Sequence, residues 1–182
     1  MINKTHFIFD IETNGFANCS VLSISFIICK EDKILDKQTR YYFPKENYYN
    51  KQAIAVNGLK KEVIKNHRED INYPLYFEDN YDWLVNIFNK FNINNIVAHN
   101  TSFDLKFLPN KLKAKIENQE YSTFCTMQEN KSIMPNNKAP KLTEACEKYS
   151  INFDMSKAHS SDYDTLKCYE VFIKTMKKRN WR

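Results

Sequence analysis

Residues 7–15 read Phe7-Ile8-Phe9-Asp10-Ile11-Glu12-Thr13-Asn14-Gly15, an apolar run that carries two acids and predicts a buried strand over residues 6–12. Side chains alternate along a strand, so Asp10 and Glu12 project to one face while Ile11 points into the core. Burying unpaired carboxylates costs several kcal/mol unless something compensates. Divalent cations are the natural compensation, and oxygen-only ligands select Mg²⁺ or Mn²⁺. The alternative is a strand end that reaches solvent, where the two acids face water.

A second acid follows another short apolar strand, Ile96-Val97-Ala98, in the stretch Ala98-His99-Asn100-Thr101-Ser102-Phe103-Asp104. Asp104 is a candidate ligand because it directly follows a strand that is predicted to be buried. The competing interpretation is a helix start. Thr101 or Ser102 would then cap the helix, and Asp104 would lie in its first turn, where the helix dipole favours an acid.

The third cluster is His159-Ser160-Ser161-Asp162-Tyr163-Asp164. Ser161 and Asp164 have the spacing of a capping box, with Asp in place of the usual Glu or Gln, and His159 could be an ordinary surface residue. Asp162 is a second candidate acid, and only spacing favours Asp164.

The order of the three clusters is more informative than any one of them. Together they offer four carboxylates and a histidine, which only a folded site would bring together. Two cations about 3.5–4 Å apart can activate water and stabilise the leaving oxygen of a phosphodiester. A histidine is a suitable base for the proton of that water. The set therefore predicts a two-metal phosphodiesterase.

The composition is that of an ordered globular protein. The chain has 182 residues, 42% apolar and 14% aromatic, and is most simply one domain over residues 1–182. The net charge of +5 and the basic run Lys174-Thr175-Met176-Lys177-Lys178-Arg179 suit a polyanionic partner. The five cysteines form no CxxC pair, which argues against a zinc site and for a reducing compartment. With no signal sequence or membrane-spanning stretch, we expect a soluble, cytoplasmic protein.

The remaining pattern predicts a mixed sheet with helices packed on it. Residues 21–29 and 34–43 are strands of an antiparallel meander with the first, and apolar residues recur at helical spacing over 83–91, 103–112, 142–149 and 162–176. Pro109 interrupts the second of these helices. The only glycines, Gly15 and Gly58, are expected to hold backbone conformations that other residues disfavour.

These motifs resemble the DnaQ-like (DEDD, histidine-type) 3′–5′ exonucleases over nearly the whole chain. Asp10 and Glu12 match the first motif, Asp104 the second, and His159 with Asp164 the third. The resemblance implies an α/β fold of the ribonuclease H-like type, with a mixed five-stranded sheet flanked by helices. It also implies that the four acids bind two divalent cations, Mg²⁺ or Mn²⁺, and that His159 is the general base.

Within the family, several stretches are similar to ribonuclease T, and others to the proofreading exonucleases of the DNA polymerase III epsilon type. By this analogy Phe16 and Phe124 would stack on terminal bases, a contact that tolerates any sequence. The alternative for both phenylalanines is a place in the core. The other expected substrate contacts are Thr13, Gly15, Asn57, Asn100 and Phe103. Val56 stands where ribonuclease T has a phenylalanine that wedges against bases.

The function that follows is a metal-dependent 3′–5′ exonuclease that releases nucleoside 5′-monophosphates from single-stranded DNA or RNA. One alternative is a polymerase-associated proofreading subunit that acts only on DNA. Another is a catalytically silent nucleic-acid-binding module of the same fold, and a third is a structural or toxin-like protein. The expected partners are 3′ ends of single strands, with a homodimer and a polymerase complex as further interpretations and no membrane.

Overall fold

A computed structural model describes residues 4–16, 18–69 and 72–180. Its centre is a five-stranded sheet in the order β3-β2-β1-β4-β5. The strands are β1 (Thr5–Thr13), β2 (Val21–Lys30), β3 (Lys33–Tyr41), β4 (Asn95–Ala98) and β5 (Ser122–Cys125). β1 pairs antiparallel with β2 and parallel with β4, while β2–β3 is antiparallel and β4–β5 is parallel. The predicted α/β fold with a mixed sheet flanked by helices is confirmed.

Helices cover both faces of this sheet. They are α1 (Lys51–Asn57), α2 (Lys61–His67), α3 (Tyr81–Lys90), α4 (Thr101–Asp104), α5 (Asn110–Glu117), α6 (Thr126–Glu129), α7 (Leu142–Lys148) and α8 (Ser161–Lys178). Short 3₁₀ turns occupy Glu78–Asn80, Leu105–Phe107, Lys131–Ile133, Pro135–Asn137 and Met155–Lys157. Within the part of the chain that is described, no helix combines the length and the apolar character that crossing a membrane requires.

The alternation of β1 divides its side chains between two cores. Phe7, Phe9 and Ile11 pack on the α3 side, in a cluster that includes Phe88. Ile8 lies on the opposite face, where α8 covers the sheet. Because both faces of β1 are covered, the strand is a nearly continuous apolar run, and its two acids are exceptions to that run.

Most sequence-based assignments agree with the structure to within two residues, and three details need correction. The third strand ends at Tyr41 rather than at residue 43, since the Phe43 N–H donates to Leu75 O at 2.9 Å. Residues 103–112 form the end of α4, a 3₁₀ turn and the start of α5. The interruption predicted at Pro109 lies directly before α5. The pattern also missed α1, α2, α6 and β5, elements of four to seven residues that are too short to show a clear period.

The two glycines differ from each other. Gly58 has φ 70°, a left-handed conformation at the C-cap of α1, as predicted. The prediction was wrong for Gly15, which is not among the positive-φ residues of the described chain. A Cβ at Gly15 would meet Cys19 Cβ at 3.6 Å and Asn50 Cβ at 3.8 Å, which is ordinary contact. Gly15 thus lies in a packed loop but does not need the left-handed backbone that favours glycine.

Candidate active site

The first two acids lie at the carboxyl end of β1, on the face that α8 covers. Asp10 is opposite Ser25 in β2 and Glu12 is opposite Ser23, and both acids are half-buried. The solvent-facing alternative therefore does not describe them. The parallel pairing of Ile8 with Val97 brings the end of β4 to the same edge of the sheet, so the residues that follow β4 lie near these acids.

Asp104 ends the one-turn helix α4 directly after that edge, and its side chain is only 4% exposed. Neither Thr101 nor Ser102 caps this helix, because Asn100 occupies the N-cap and Ser102 Oγ donates to Asn100 Oδ1 at 2.9 Å. The backbone N–H groups of Asp104 and Ile11 donate to the Asp104 carboxylate. The predicted cap by Thr101 or Ser102 is therefore wrong, whereas Asp104 does lie in the first turn of α4, where it is a buried acid beside β1.

The third cluster lies at the start of α8. Ser160 is the N-cap and Ser161 is already helical, so the predicted capping box between Ser161 and Asp164 does not form. Asp164 is half-buried and its Oδ2 accepts the His159 N–H at 3.0 Å. Asp162 is exposed and accepts a hydrogen bond from Ser160 Oγ. The structure thus places Asp164, and not Asp162, toward the other acids.

His159 has a left-handed backbone with φ 63°. That conformation is uncommon for a residue other than glycine and is often found at functional sites. It accompanies the hydrogen bond from the His159 N–H to the Asp164 carboxylate, which ties the backbone of the histidine to that acid. One ligand atom from each of Glu12, His159 and Asp164 lies within 4.8 Å of the others.

Burial raises the pKa of all four acids, and repulsion from the neighbouring acids adds to this for Asp10 and Glu12. For Asp10, burial is the main cause, followed by repulsion from Asp104, Glu12 and Asp164. Burial also raises the pKa of Glu12 to about 8, although a hydrogen bond from Asn57 acts in the opposite direction. The pKa of Asp104 rises to about 7 through burial. Burial raises the pKa of Asp164 too, while the His159 N–H opposes that shift.

This donor set fits divalent cations. Among the described residues, none of the four acids forms an ion pair with Lys or Arg, and Asp164 Oδ1 is buried without a hydrogen-bond partner. A buried carboxylate oxygen with no donor is destabilising unless a cation occupies its lone pairs. Since the ligands are oxygens with one imidazole beside them, hard cations such as Mg²⁺ or Mn²⁺ match the site.

Several predicted substrate contacts lie around these acids. Thr13 is buried and its Oγ1 donates to Gly15 O at 2.7 Å, while Asn57 Nδ2 donates to Thr13 O at 3.0 Å. Asn57 also hydrogen bonds to Glu12, so it links the α1 segment to an acid of the site. Phe16 follows this loop with 67% of its side chain exposed, which excludes the core interpretation for this residue.

On the α4 side, Asn100 is exposed and Phe103 is half-buried, with its ring 5.3 Å from that of Phe107. Phe124 differs from the stacking prediction. It is only 7% exposed and packs edge-on against Phe172, with centroids 5.2 Å apart, in the core beneath α8. The core alternative therefore describes Phe124, because β5 directs its side chain inward.

Sequence reasoning missed two sets of polar residues that hold the site in place. The hydroxyl of Ser161 lies 2.9 Å from Ser23 Oγ and 2.8 Å from Ser25 Oγ, which ties α8 to β2. Asn14 is 2% exposed, donates to Tyr48 O at 2.7 Å and accepts from Ser20 N at 2.6 Å. Serines within the apolar run of β2 were the available signal for the first set.

A narrow cavity of about 140 Å³ adjoins His159. Asn57, Tyr41 and His67 contribute to its lining, and the last two rings are stacked with centroids 4.0 Å apart. The candidate site is thus an acidic cluster at the carboxyl end of β1, with a histidine and a narrow cavity beside it.

Comparison with known proteins agrees with this geometry. The sequence profile of the exonuclease (RNase_T) family matches residues 7–172. The chain is 28% identical over 187 residues to ribonuclease T of Buchnera aphidicola subsp. Schizaphis graminum, covering 92% of this chain and 80% of that protein. It is 27% identical over 179 residues to the DNA polymerase III PolC-type of Ureaplasma parvum serovar 3. That alignment covers 96% of this chain but only 12% of the polymerase.

Among solved structures, exonuclease X in complex with 5′ overhanging duplex DNA has the same fold. Its TM-score is 0.68 at 18% identity, with 97% of this chain and 94% of that chain covered. The family profile spans every predicted motif, from β1 to α8. The chain therefore belongs to the exonuclease (RNase_T) family, in agreement with the resemblance of its motifs.

Proposed function

We propose that the chain is a 3′–5′ exonuclease. It hydrolyses the phosphodiester at the 3′ end of single-stranded nucleic acid and releases nucleoside 5′-monophosphates, with two divalent cations and His159 as general base. The observation that carries this proposal is the convergence of four acids from β1, α4 and α8 on one partly buried site. Their raised pKa values and the unpartnered Asp164 Oδ1 support a site completed by cations.

Asp10, Glu12, Asp104 and Asp164 would hold the cations. When bound, two such ions activate the attacking water and stabilise the leaving oxygen during in-line displacement. The same ions would lower the pKa of all four carboxyls, because each positive charge favours the ionised form. Magnesium and manganese both suit oxygen ligands, so either would serve.

His159 would accept the proton of the attacking water at a ring nitrogen. Its left-handed backbone and the hydrogen bond from its N–H to Asp164 hold the residue beside Glu12 and Asp164. The exposed position leaves room for water and substrate on the solvent side of the ring. Positioning of this kind converts a diffusional encounter into a directed proton transfer.

Unpaired bases would be bound by the groups around the acids. Phe16 is exposed beside the loop that follows Glu12 and can stack on a base without sequence preference. Thr13, Gly15 and Asn57 would contact the terminal nucleotide, and Asn100 and Phe103 would line the opposite side. Because stacking requires an unpaired base, a single strand is the proposed substrate.

Proofreading of DNA is the second candidate. The observation that favours it is the alignment with PolC-type DNA polymerases over nearly all of this chain. The ribonuclease T relatives favour RNA instead. Three further statements remain predictions. Residues 1–182 act as one exonuclease domain, the protein resides in the cytoplasm, and it forms a homodimer or joins a polymerase.

The test is digestion of matched DNA and RNA oligonucleotides, labelled at the 3′ or 5′ end, with Mg²⁺ or Mn²⁺. We expect a mononucleotide from the 3′ label and a ladder from the 5′ label, both dependent on metal. Asp10→Ala and Asp164→Asn should abolish cleavage, whereas Asp162→Asn, the matched control beside the site, should retain it. Cleavage by folded Asp10→Ala would refute the site, and relative DNA and RNA rates would separate the two candidate functions.

A further inference from the structure

The loop that follows Glu12 is surrounded by apolar side chains that face water. Phe16 is 67% exposed, Tyr48 is 58% exposed and Val56 is 51% exposed. Phe16 belongs to the loop itself, whereas Tyr48 precedes α1 and Val56 lies near its other end. Large exposed apolar side chains on segments that adjoin the residues after Glu12 are candidates for contact with a ligand.

Hydrogen bonds hold these three segments together. Asn14 Nδ2 donates to Tyr48 O at 2.7 Å, and Asn50 N donates to Asn14 O at 2.9 Å. At the other end of α1, Asn57 Nδ2 donates to Thr13 O at 3.0 Å. The residues after Glu12 are therefore fastened to both ends of α1, and Tyr48 is fixed beside the loop that carries Phe16.

The ring of Tyr48 is also oriented locally. Asn50 Nδ2 contacts the Tyr48 hydroxyl at 3.4 Å, while Asn50 Oδ1 accepts from Gln52 N at 2.9 Å and caps α1. The Asn14 side chain that binds Tyr48 O is itself buried and accepts from Ser20 N. The Asn14 bond thus fixes the backbone of Tyr48, and the Asn50 contact restrains its ring, so less conformational entropy is lost when the ring binds a ligand.

We propose that Tyr48 is a stacking platform for an unpaired nucleobase near the 3′ end of the substrate strand. The inference rests on the proposed exonuclease function and adds a binding residue to it. Phe16 and Tyr48 are exposed aromatic residues on or tied to this loop. Val56 supplies an apolar contact without a π face. Stacking explains why an aromatic ring, held by hydrogen bonds, faces water here.

The test measures affinity with Tyr48→Ala, Tyr48→Leu and Tyr48→Phe. All three are made in an Asp10→Ala background that prevents cleavage, and the ligands are single-stranded oligonucleotides. Each carries 2-aminopurine at the terminal, second or third nucleotide from the 3′ end, or near the 5′ end. Met155→Ala is the matched control, because Met155 is 69% exposed and belongs to the turn before α8. Melting curves establish that every variant is folded.

We expect Tyr48→Ala and Tyr48→Leu to weaken binding by about 5- to 140-fold. Tyr48→Phe, which keeps the ring, and Met155→Ala should bind like the background protein. Quenching of 2-aminopurine should be lost in Tyr48→Ala at one of the positions near the 3′ end and retained near the 5′ end. Unchanged affinity of Tyr48→Ala overturns the proposal, as does equal affinity of the Leu and Phe variants or quenching that persists at every position.

Failure of this inference is distinguishable from failure of the proposed function. The same oligonucleotides are digested by the protein that retains Asp10. If that protein cleaves from the 3′ end and Tyr48→Ala binds normally, only the platform is refuted. If it cleaves nothing, or if Asp10→Ala still cleaves, the exonuclease site itself is wrong.

Discussion

Replacing Asp104 by asparagine should stabilise the metal-free protein while abolishing its activity. Burial raises the pKa of the Asp104 carboxyl from 3.8 to about 7. Between these values the unfolded chain has released its proton and the folded protein has not, so the free energy of unfolding falls as pH rises. Above about pH 7 both states are ionised, and the full loss is present. The side-chain amide of the Asp104→Asn variant carries no charge, so the variant avoids that loss.

The magnitude follows from the two pKa values. A change from 3.8 to about 7 corresponds to about 4 kcal/mol, which is an upper bound because relaxation of the folded protein around the charge reduces the cost of burying it. The assay is urea unfolding in EDTA from pH 4 to pH 8. We expect the stability of Asp104→Asn to exceed that of the unsubstituted protein at pH 8 and to converge with it near pH 4. Asp82→Asn, whose side chain is 91% exposed in the native protein, should differ by less than about 0.5 kcal/mol throughout.

Manganese should reduce the difference in stability between the two proteins. A bound cation stabilises the folded state by about 1.4 kcal/mol at ten times its dissociation constant, and Asp104→Asn removes one ligand. The unsubstituted protein should therefore gain more stability from Mn²⁺ than the variant does. If Asp104→Asn is less stable at pH 8 in EDTA, or if the difference does not depend on pH, the reasoning about burial of the Asp104 carboxyl is wrong.

Three other predictions concern the support of the site. Burial lowers the pKa of His6 from 6.5 to about 4, so the free energy of unfolding should decrease as pH falls from 6.5 to about 4. His6→Phe should remove this decrease, as measured by unfolding at a series of fixed pH values. Phe124→Ala should lower the free energy of unfolding by about 3–5 kcal/mol, because the ring is core, and a melting curve with little change would restore the stacking interpretation. Ser161→Ala removes hydroxyl contacts to Ser23 and Ser25, so the free energy of unfolding should fall by about 1 kcal/mol per hydrogen bond. In the digestion assay kcat should fall while KM stays unchanged. Full activity would show that these contacts do not position α8.

The regular elements were largely predictable because their causes are local. The apolar alternation around Asp10 and Glu12 determines which side of a strand they occupy, whatever the strand packs against. The 18-residue α8 repeats its buried face often enough to be recognised. The segments α1, α2, α6 and β5 escaped because four to seven residues cannot establish a period, and their stability depends on contacts made elsewhere in the chain.

The motifs that carry the acids and His159 could be recognised from the sequence by itself, because residue type and order along the chain are sufficient for that resemblance. The tertiary structure decided what depends on long-range burial. It separated Asp164 from Asp162 and placed Phe124 in the core and Phe16 in water. It also brought Tyr48 beside the loop after Glu12, through a hydrogen bond from Asn14 across 34 positions of the chain. Local spacing carries no information about such contacts, since burial and proximity are set by which elements pack together.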